Sequence, residues 1–325
     1  MKKFNAISVG TILLLLLVAL APQLVGIKAA KADTEDTAVF RSTGGLWWFE
    51  EEAGWPDEGA VSYAVSTYIF SLFDSPPYDN KHYCNAGCVT NESILSDIED
   101  YFDDDYTTFF IFANGANSTV NGTIYYMPSG TPVQYIPVMH YYLYPTSGYP
   151  VSDYDIGLIT YGGSNIQFVF LWSCSLGSEI GSYDESYWVD YPWYWYAGTG
   201  PVGMPYAWTY RDYTQMNSNG YDNPDNGDYT FIGFEDFGIP LSENITGGGG
   251  LNYGDWVKKF YDYTLDESYT INDALDAASE DMLGSGKDFG DTDLYNGYEY
   301  ELPPPYGDWS GRMRVYGNGN NYLPN

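Results

Sequence analysis

The sequence predicts an α/β fold built on a mainly parallel sheet, and three observations carry that expectation. Short runs of aromatic and β-branched residues alternate along the chain with segments of helical period. The most apolar runs, "TTFFIFA" and "QFVFLWS", are hydrophobic at every position rather than at every second one, as strands covered on both faces are. No long low-complexity linker interrupts the alternation, so residues 33–325 are expected to form one domain.

The elements follow in order. "DEGAVSYAVSTYIFSLF" (57–73) has apolar residues at helical spacing after an acidic start, and "NESILSDIEDYF" (91–102) reads as a second helix with Asn91 as its cap. "TTFFIFA" (107–113) is a buried strand closed by Asn114-Gly115. "TIYYM" and "QYIPVMHYYLY" read as further strands, and "QFVFLWS" (167–173) is expected at the centre of the sheet. After it come a strand at "YTFIGFE" (229–235) and a helix at "GDWVKKFYDYTL" (254–265). A helix at "TINDALDAASEDML", capped by Thr270 or Asn272, precedes a closing strand at "RMRVYG".

The first 32 residues are set apart from the fold. Lys2 and Lys3 precede an apolar run from Thr11 to Ala21, and Ala30-Lys31-Ala32 supplies a small-x-small cleavage pattern, so 1–32 is expected to be a signal peptide. Pro22 and Gln23 cut the apolar run short of a membrane span, and a retained N-terminal anchor is the alternative. Export places the protein outside the cell or on its surface. Removing this segment removes four lysines, which leaves eight basic residues against 44 acidic ones and a net charge of −36. Such a polyanion repels nucleic acid and anionic lipid, which excludes both as partners, while basic substrates and cations stay compatible. With 35 Tyr, 16 Phe and 10 Trp the chain is not a disordered acidic tail, because rings on that scale fill cores or binding surfaces. Sequons at Asn91, Asn117, Asn121 and Asn244 fit the exposed loops of an exported glycoprotein.

Three cysteines sharpen the question. Cys84 and Cys88 in "HYCNAGC" are expected to form a short-loop disulfide in an oxidising compartment. A zinc reading of His82 with the two thiolates lacks a fourth ligand. That pairing leaves Cys174 over, at the end of the most apolar strand in "FVFLWSCSLGSEI". An odd cysteine in an exported chain is a reactive thiol, an intermolecular bridge or a small buried hydrophobe. A strand that ends in a nucleophile and a small-residue turn puts the side chain at the carboxyl edge of the sheet, where α/β folds keep their sites. A helix starting near Leu176 would add amides that stabilise a thiolate or an oxyanion.

Here the residues resemble a family. "VFLWSCSLGS" is similar to the nucleophile strand of the caspase-like cysteine peptidases, which include caspases, metacaspases, legumains and gingipains; Cys174 and Gly177 match its spacing and Leu176 stands where serine is usual. "YTINDALDAASEDML" followed by "GRMRVYGNGNNYLP" is similar to the closing helix and strand of gingipain-like domains, with Gly317-Asn318 in place of Gly-Asp. The resemblance spans about Phe40 to Leu323. It implies a caspase-like three-layer α/β/α sandwich and an exported cysteine endopeptidase with Cys174 as nucleophile. The amide of Cys174 or Ser175 and the Gly177 turn would cradle the oxyanion. The family also requires an upstream histidine, normally in Gly-His-Gly at the end of the preceding core strand. His140 in "PVMHYYLYP" is the candidate base, but it lacks the flanking glycines. By pattern "FFIFANGAN" is the better histidine strand, and there Asn114 stands at the histidine position with Gly115 after it. Without an imidazole a thiol of ordinary pKa is mostly protonated at neutral pH.

Two readings therefore stand. One is an endopeptidase acting on peptide or protein substrates, basic ones by charge, with Cys174 and His140 as its dyad. The other is a non-catalytic caspase-like protein, or another α/β surface protein, serving binding, adhesion or assembly. No cofactor is required by either. Calcium is a candidate ligand for Asp222, Asp225 and Asp228 in "YDNPDNGDY", although Pro224 replaces a ligand and no glutamate closes the loop. The oxygen-rich stretches 103–105 and 287–293 are other candidates. "YWVDYPWYWYAGTG" (187–200) reads as an aromatic substrate wall or an interaction surface.

Overall fold

The computed structural model describes residues 36–42, 58–73, 78–104, 106–121, 125–126, 132–133, 137–160, 164–177, 203–209, 228–301 and 308–324. The expected signal peptide, Asp222, Asp225 and the aromatic segment 187–200 lie outside the described residues.

The elements, in chain order, begin with strand β1 (Asp36–Ser42), helix α1 (Glu58–Leu72), β2 (Tyr78–Asn85), α2 (Asn91–Tyr101) and β3 (Tyr106–Phe112). Then come β4 (Asn114–Asn121), β5 (Tyr125–Tyr126), β6 (Pro132–Val133), β7 (Pro137–Tyr144) and β8 (Val151–Ser152). They are followed by α3 (Asp153–Thr160), β9 (Ile166–Trp172), α4 (Met204–Thr209) and β10 (Thr230–Asp236). The chain closes with α5 (Tyr253–Tyr261), α6 (Ile271–Leu283), α7 (Asp293–Asn296), β11 (Tyr298–Glu301) and β12 (Asp308–Gly317).

Seven strands form the central sheet in the order β11-β12-β10-β9-β3-β1-β2, so β9 stands fourth, at the centre. The β2–β1, β1–β3, β3–β9 and β9–β10 pairs are parallel; β10–β12 and β12–β11 are antiparallel. Helices cover both faces. On one side α1, α5 and α6 close over Phe40, Phe110, Phe168, Phe170, Trp172 and Phe234. On the other, α2, α3 and α4 close over Val39, Phe109, Ile111, Val169 and Leu171. This is the mainly parallel α/β sandwich that the continuous apolar runs predict, because a strand buried on both sides has no polar face to show.

Local details differ from expectation where a neighbour decides them. Thr90, not Asn91, caps α2: its hydroxyl accepts from the Ser93 amide at 3.0 Å, and the Ser93 hydroxyl accepts from the Thr90 amide. Thr270 caps α6 as expected, taking the Asp273 amide at 3.1 Å. Strands β1 and β2 show no clean strand pattern in the sequence, because "DTAVFRS" and "YDNKHYCN" mix charge with apolar residues. Arg41 nevertheless lies buried, with its guanidinium on the Asp97 carboxylate of α2. Such a buried pair forms only when tertiary packing brings the partner. The Cys84–Cys88 disulfide forms, with 5.8 Å between its Cα atoms, across the end of β2 and the short turn after it.

Candidate functional site

Strand alternation fixes where Cys174 points. Phe168, Phe170 and Trp172 face the α1–α5–α6 side, and Cys174 continues that series, while Val169, Leu171 and then Leu176 face the other side. Cys174 is the free cysteine among the described residues and only 8% exposed. After Trp172 the chain turns rather than entering a helix through Gly177, with Ser175 at φ 62°, a left-handed conformation unusual outside glycine.

That turn is pinned to the end of β10. The Ser175 amide donates to the Asp236 carbonyl, its hydroxyl donates to the same oxygen at 3.2 Å, and the Gly177 amide donates to the Phe234 carbonyl at 2.8 Å. The Tyr316 hydroxyl donates to the Gly177 carbonyl at 2.6 Å. Gly177 and Gly233 have to be small here: a Cβ on Gly177 would lie 2.3 Å from the Gly233 carbonyl carbon. The Ser175 and Gly177 amides proposed for an oxyanion are thus both donated within the protein.

The thiol is held in the same way. The Gly238 amide donates to the Cys174 sulfur at 3.2 Å. Burial pushes the thiol up to about 11, and the Gly238 and Cys174 amides offset only part of that. At pH 7 a group with that pKa is ionised in on the order of one molecule in ten thousand.

The Asn114-Gly115 corner lies against the backbone of the Cys174 turn. Phe112 pairs with Trp172 in the parallel register, and the Ala113 amide donates to the Trp172 carbonyl at 3.4 Å. Asn114 comes next, level with the Cys174 turn. A Cβ on Gly115 would sit 2.0 Å from the Cys174 carbonyl oxygen and 2.5 Å from the Ser173 hydroxyl. So the residue after the position that the family resemblance gives to histidine meets the Cys174 turn, and that position holds asparagine.

Both histidines have their backbones elsewhere. His140 sits on β7 opposite Ser118, four positions out along the β4–β7 hairpin from the Asn114–Tyr144 pair. Four residues of strand span about 13 Å. The His140 side chain lies outside the described residues. His82 is on the far edge strand β2, where its Nε2 meets the Tyr101 hydroxyl at 2.6 Å and its ring packs on the same tyrosine. With Cys84 and Cys88 joined to each other, the zinc arrangement has lost its thiolates.

The other candidate sites resolve into local structure where they are described. Asp288 and Asp291 cap a short turn, and Lys287 pairs with Asp291 at 3.3 Å. Asp104 is buried and accepts from the Thr37 hydroxyl. Asp228 is exposed at the edge of the described chain. Among the described residues no group of three or more His, Cys, Asp or Glu side chains is placed to hold a metal ion. Of the sequons, Asn244 is exposed in the loop after β10, whereas Asn91 lies in the first turn of α2 with Ser93 engaged in the cap. Asn117 and Asn121 belong to β4. No described helix is long and apolar enough to cross a membrane.

Sequence reasoning missed the partners of the turn. Phe234, Asp236 and Gly238 hold Ser175, Gly177 and Cys174 from about 60 residues away, as in the Gly238–Cys174 separation of 64. No local pattern in "FEDFG" announces that role. A second distant clamp is Glu58, buried at the start of α1, whose two carboxylate oxygens accept the Leu241 and Ser242 amides at 2.8 Å each.

Together the fold and the turn define an α/β sandwich protein with a buried cysteine at the carboxyl end of its central strand. No protein-family model matches the chain, and a search of curated proteins finds no match either.

Proposed function

We propose that this chain is an exported, non-catalytic α/β protein of caspase-like type, acting in binding, adhesion or assembly outside the cell. The observation that carries the reading is the state of Cys174: a buried, protonated thiol tied to the Gly238 amide, with Gly115 packed against its carbonyl. The parallel sheet with helices on both faces and the cysteine at the end of its central strand support the family resemblance. Its chemistry does not follow from that position. Acylation needs a thiolate and a base within hydrogen-bond reach; the thiol is buried and protonated, and the His140 backbone stands four positions out along the β4–β7 hairpin.

The endopeptidase reading makes a specific demand. An imidazole carried by His140, whose backbone pairs with Ser118 on the β4–β7 hairpin, would have to reach the thiol, and the thiol would have to leave Gly238. The negative charge of the chain still selects basic partners, and calcium bridging through the 221–229 loop remains part of the binding proposal.

The test is labelling. Under reducing conditions at neutral pH, a peptidyl acyloxymethyl ketone should leave Cys174 of the folded protein unmodified. Iodoacetamide should modify it at least about 100-fold faster in denaturant than in native buffer. Rapid native labelling by the peptidyl ketone, lost in His140→Ala, would overturn the non-catalytic reading and install the dyad.

A further inference from the structure

Away from the Cys174 turn, α5, α6 and the loop carrying Ile245 enclose a cavity of about 340 Å³. Its walls are Trp256, Tyr253, Met282, Leu283, Ile245 and Leu294. That volume falls within the range of small-molecule sites, which are mostly apolar with a few placed polar groups. The polar atoms around it are unequal. The Trp256 indole N–H donates to the Ser279 hydroxyl at 3.1 Å, and that hydroxyl donates to the Leu275 carbonyl at 2.7 Å, so both are satisfied. Tyr253 is different. It is 97% buried, its ring packs toward Trp172, and no described residue hydrogen-bonds its hydroxyl. The hydroxyl oxygen itself is not fully buried, so it opens to accessible space, where a ligand acceptor can accept its hydrogen bond.

We propose that this cavity binds a small, uncharged ring compound, its ring between Trp256 and the aliphatic wall and one acceptor oxygen on the Tyr253 hydroxyl. The sign of the polar contact follows from the surroundings. Burial, with Asp293 and Glu243 nearby, holds the phenol protonated, so it offers a proton. The rim rejects anions: Asp291 and Asp293 line it, and the Lys287 ammonium there is already paired with Asp291 at 3.3 Å. This site is independent of whether Cys174 is catalytic.

The probe is an uncharged dimethylaminonaphthyl ethyl ketone, whose emission shifts to the blue when it leaves water. Titrated into the full chain, it should show saturable one-to-one binding. Tyr253→Phe keeps the ring and the fold but should bind about three- to tenfold more weakly, the effect of one hydrogen bond. Leu283→Trp fills the cavity and should abolish the shift. Circular dichroism verifies that both variants are folded, and should Leu283→Trp unfold, Tyr253→Phe decides. Absence of saturable binding by the parent overturns the proposal, as does unchanged affinity in Tyr253→Phe.

Discussion

The two faces of the central sheet are built from different material. One carries Phe40, Phe110, Phe168, Phe170, Trp172 and Phe234 beneath Trp256, Phe260 and Tyr261. The other carries Val39, Ile111, Val169 and Leu171, with Phe109 packed on Trp208. Rings on the first face meet mostly edge to face, as Phe170 does with Phe110 at 5.6 Å and with Phe260 at the same centroid distance. Such contacts add directional energy to area burial, so that face should be both stiffer and less tolerant of truncation. Cys174 belongs to it. The lesson is that a cysteine at the carboxyl end of a central strand can be drafted into a core by strand alternation alone.

The largest effect should come from breaking the aromatic face. Phe170→Ala removes a fully buried ring that touches Phe110, Trp172 and Phe260, and should cost about 3–5 kcal/mol. Leu171→Ala, its neighbour on the other face, falls in the range of about 2–5 kcal/mol for buried leucines and should cost less than Phe170→Ala. Denaturant midpoints of the two variants measure the gap, and equal losses would erase the distinction between the faces.

Next in size is the alkaline behaviour of Cys174, which reports how completely that face buries the thiol. The folded pKa of about 11 lies above the ordinary value of 9.0, so the folded state holds the proton more tightly than the unfolded one. The contribution is therefore fully present below about pH 8 and is lost as pH rises through 11, the whole loss amounting to about 3 kcal/mol. Urea midpoints between pH 8 and 11 should fall in the parent protein and fall less in Cys174→Ala. Parallel slopes would mean that the thiol is wetter than its packing implies.

The smallest effect belongs to the turn that passes from one face to the other. Ser175 sits at φ 62° between Cys174 and Leu176. Ser175→Gly relieves that conformation but forfeits the hydroxyl bond to Asp236, so thermal melts should show a change within about 1 kcal/mol. Destabilisation well beyond that would assign the hydroxyl a larger part in pinning β9 to β10.

Much of this was legible in the residues. "QFVFLWS" announced a strand buried on both sides, and its central place followed from that. Thr270 ahead of an amphipathic run announced α6 and its cap. Two cysteines four apart announced a bridge, which forms. Strands β1 and β2 were not legible, because Arg41 and the polar residues of "YDNKHYCN" read as exposed until Asp97 and the α2 layer are in place.

By itself, then, the sequence determined the α/β class, the central strand and the position of Cys174 at its carboxyl end. These are properties of local period and of residue identity, which need no partner to be read. Only the tertiary structure decided the state of the site. The amides of Ser175 and Gly177 are taken by Asp236 and Phe234, the thiol is met by Gly238, and Gly115 closes on the Cys174 carbonyl. Each of those contacts joins residues far apart in the chain, and hydrogen bonding, burial and protonation depend on neighbours that only folding supplies.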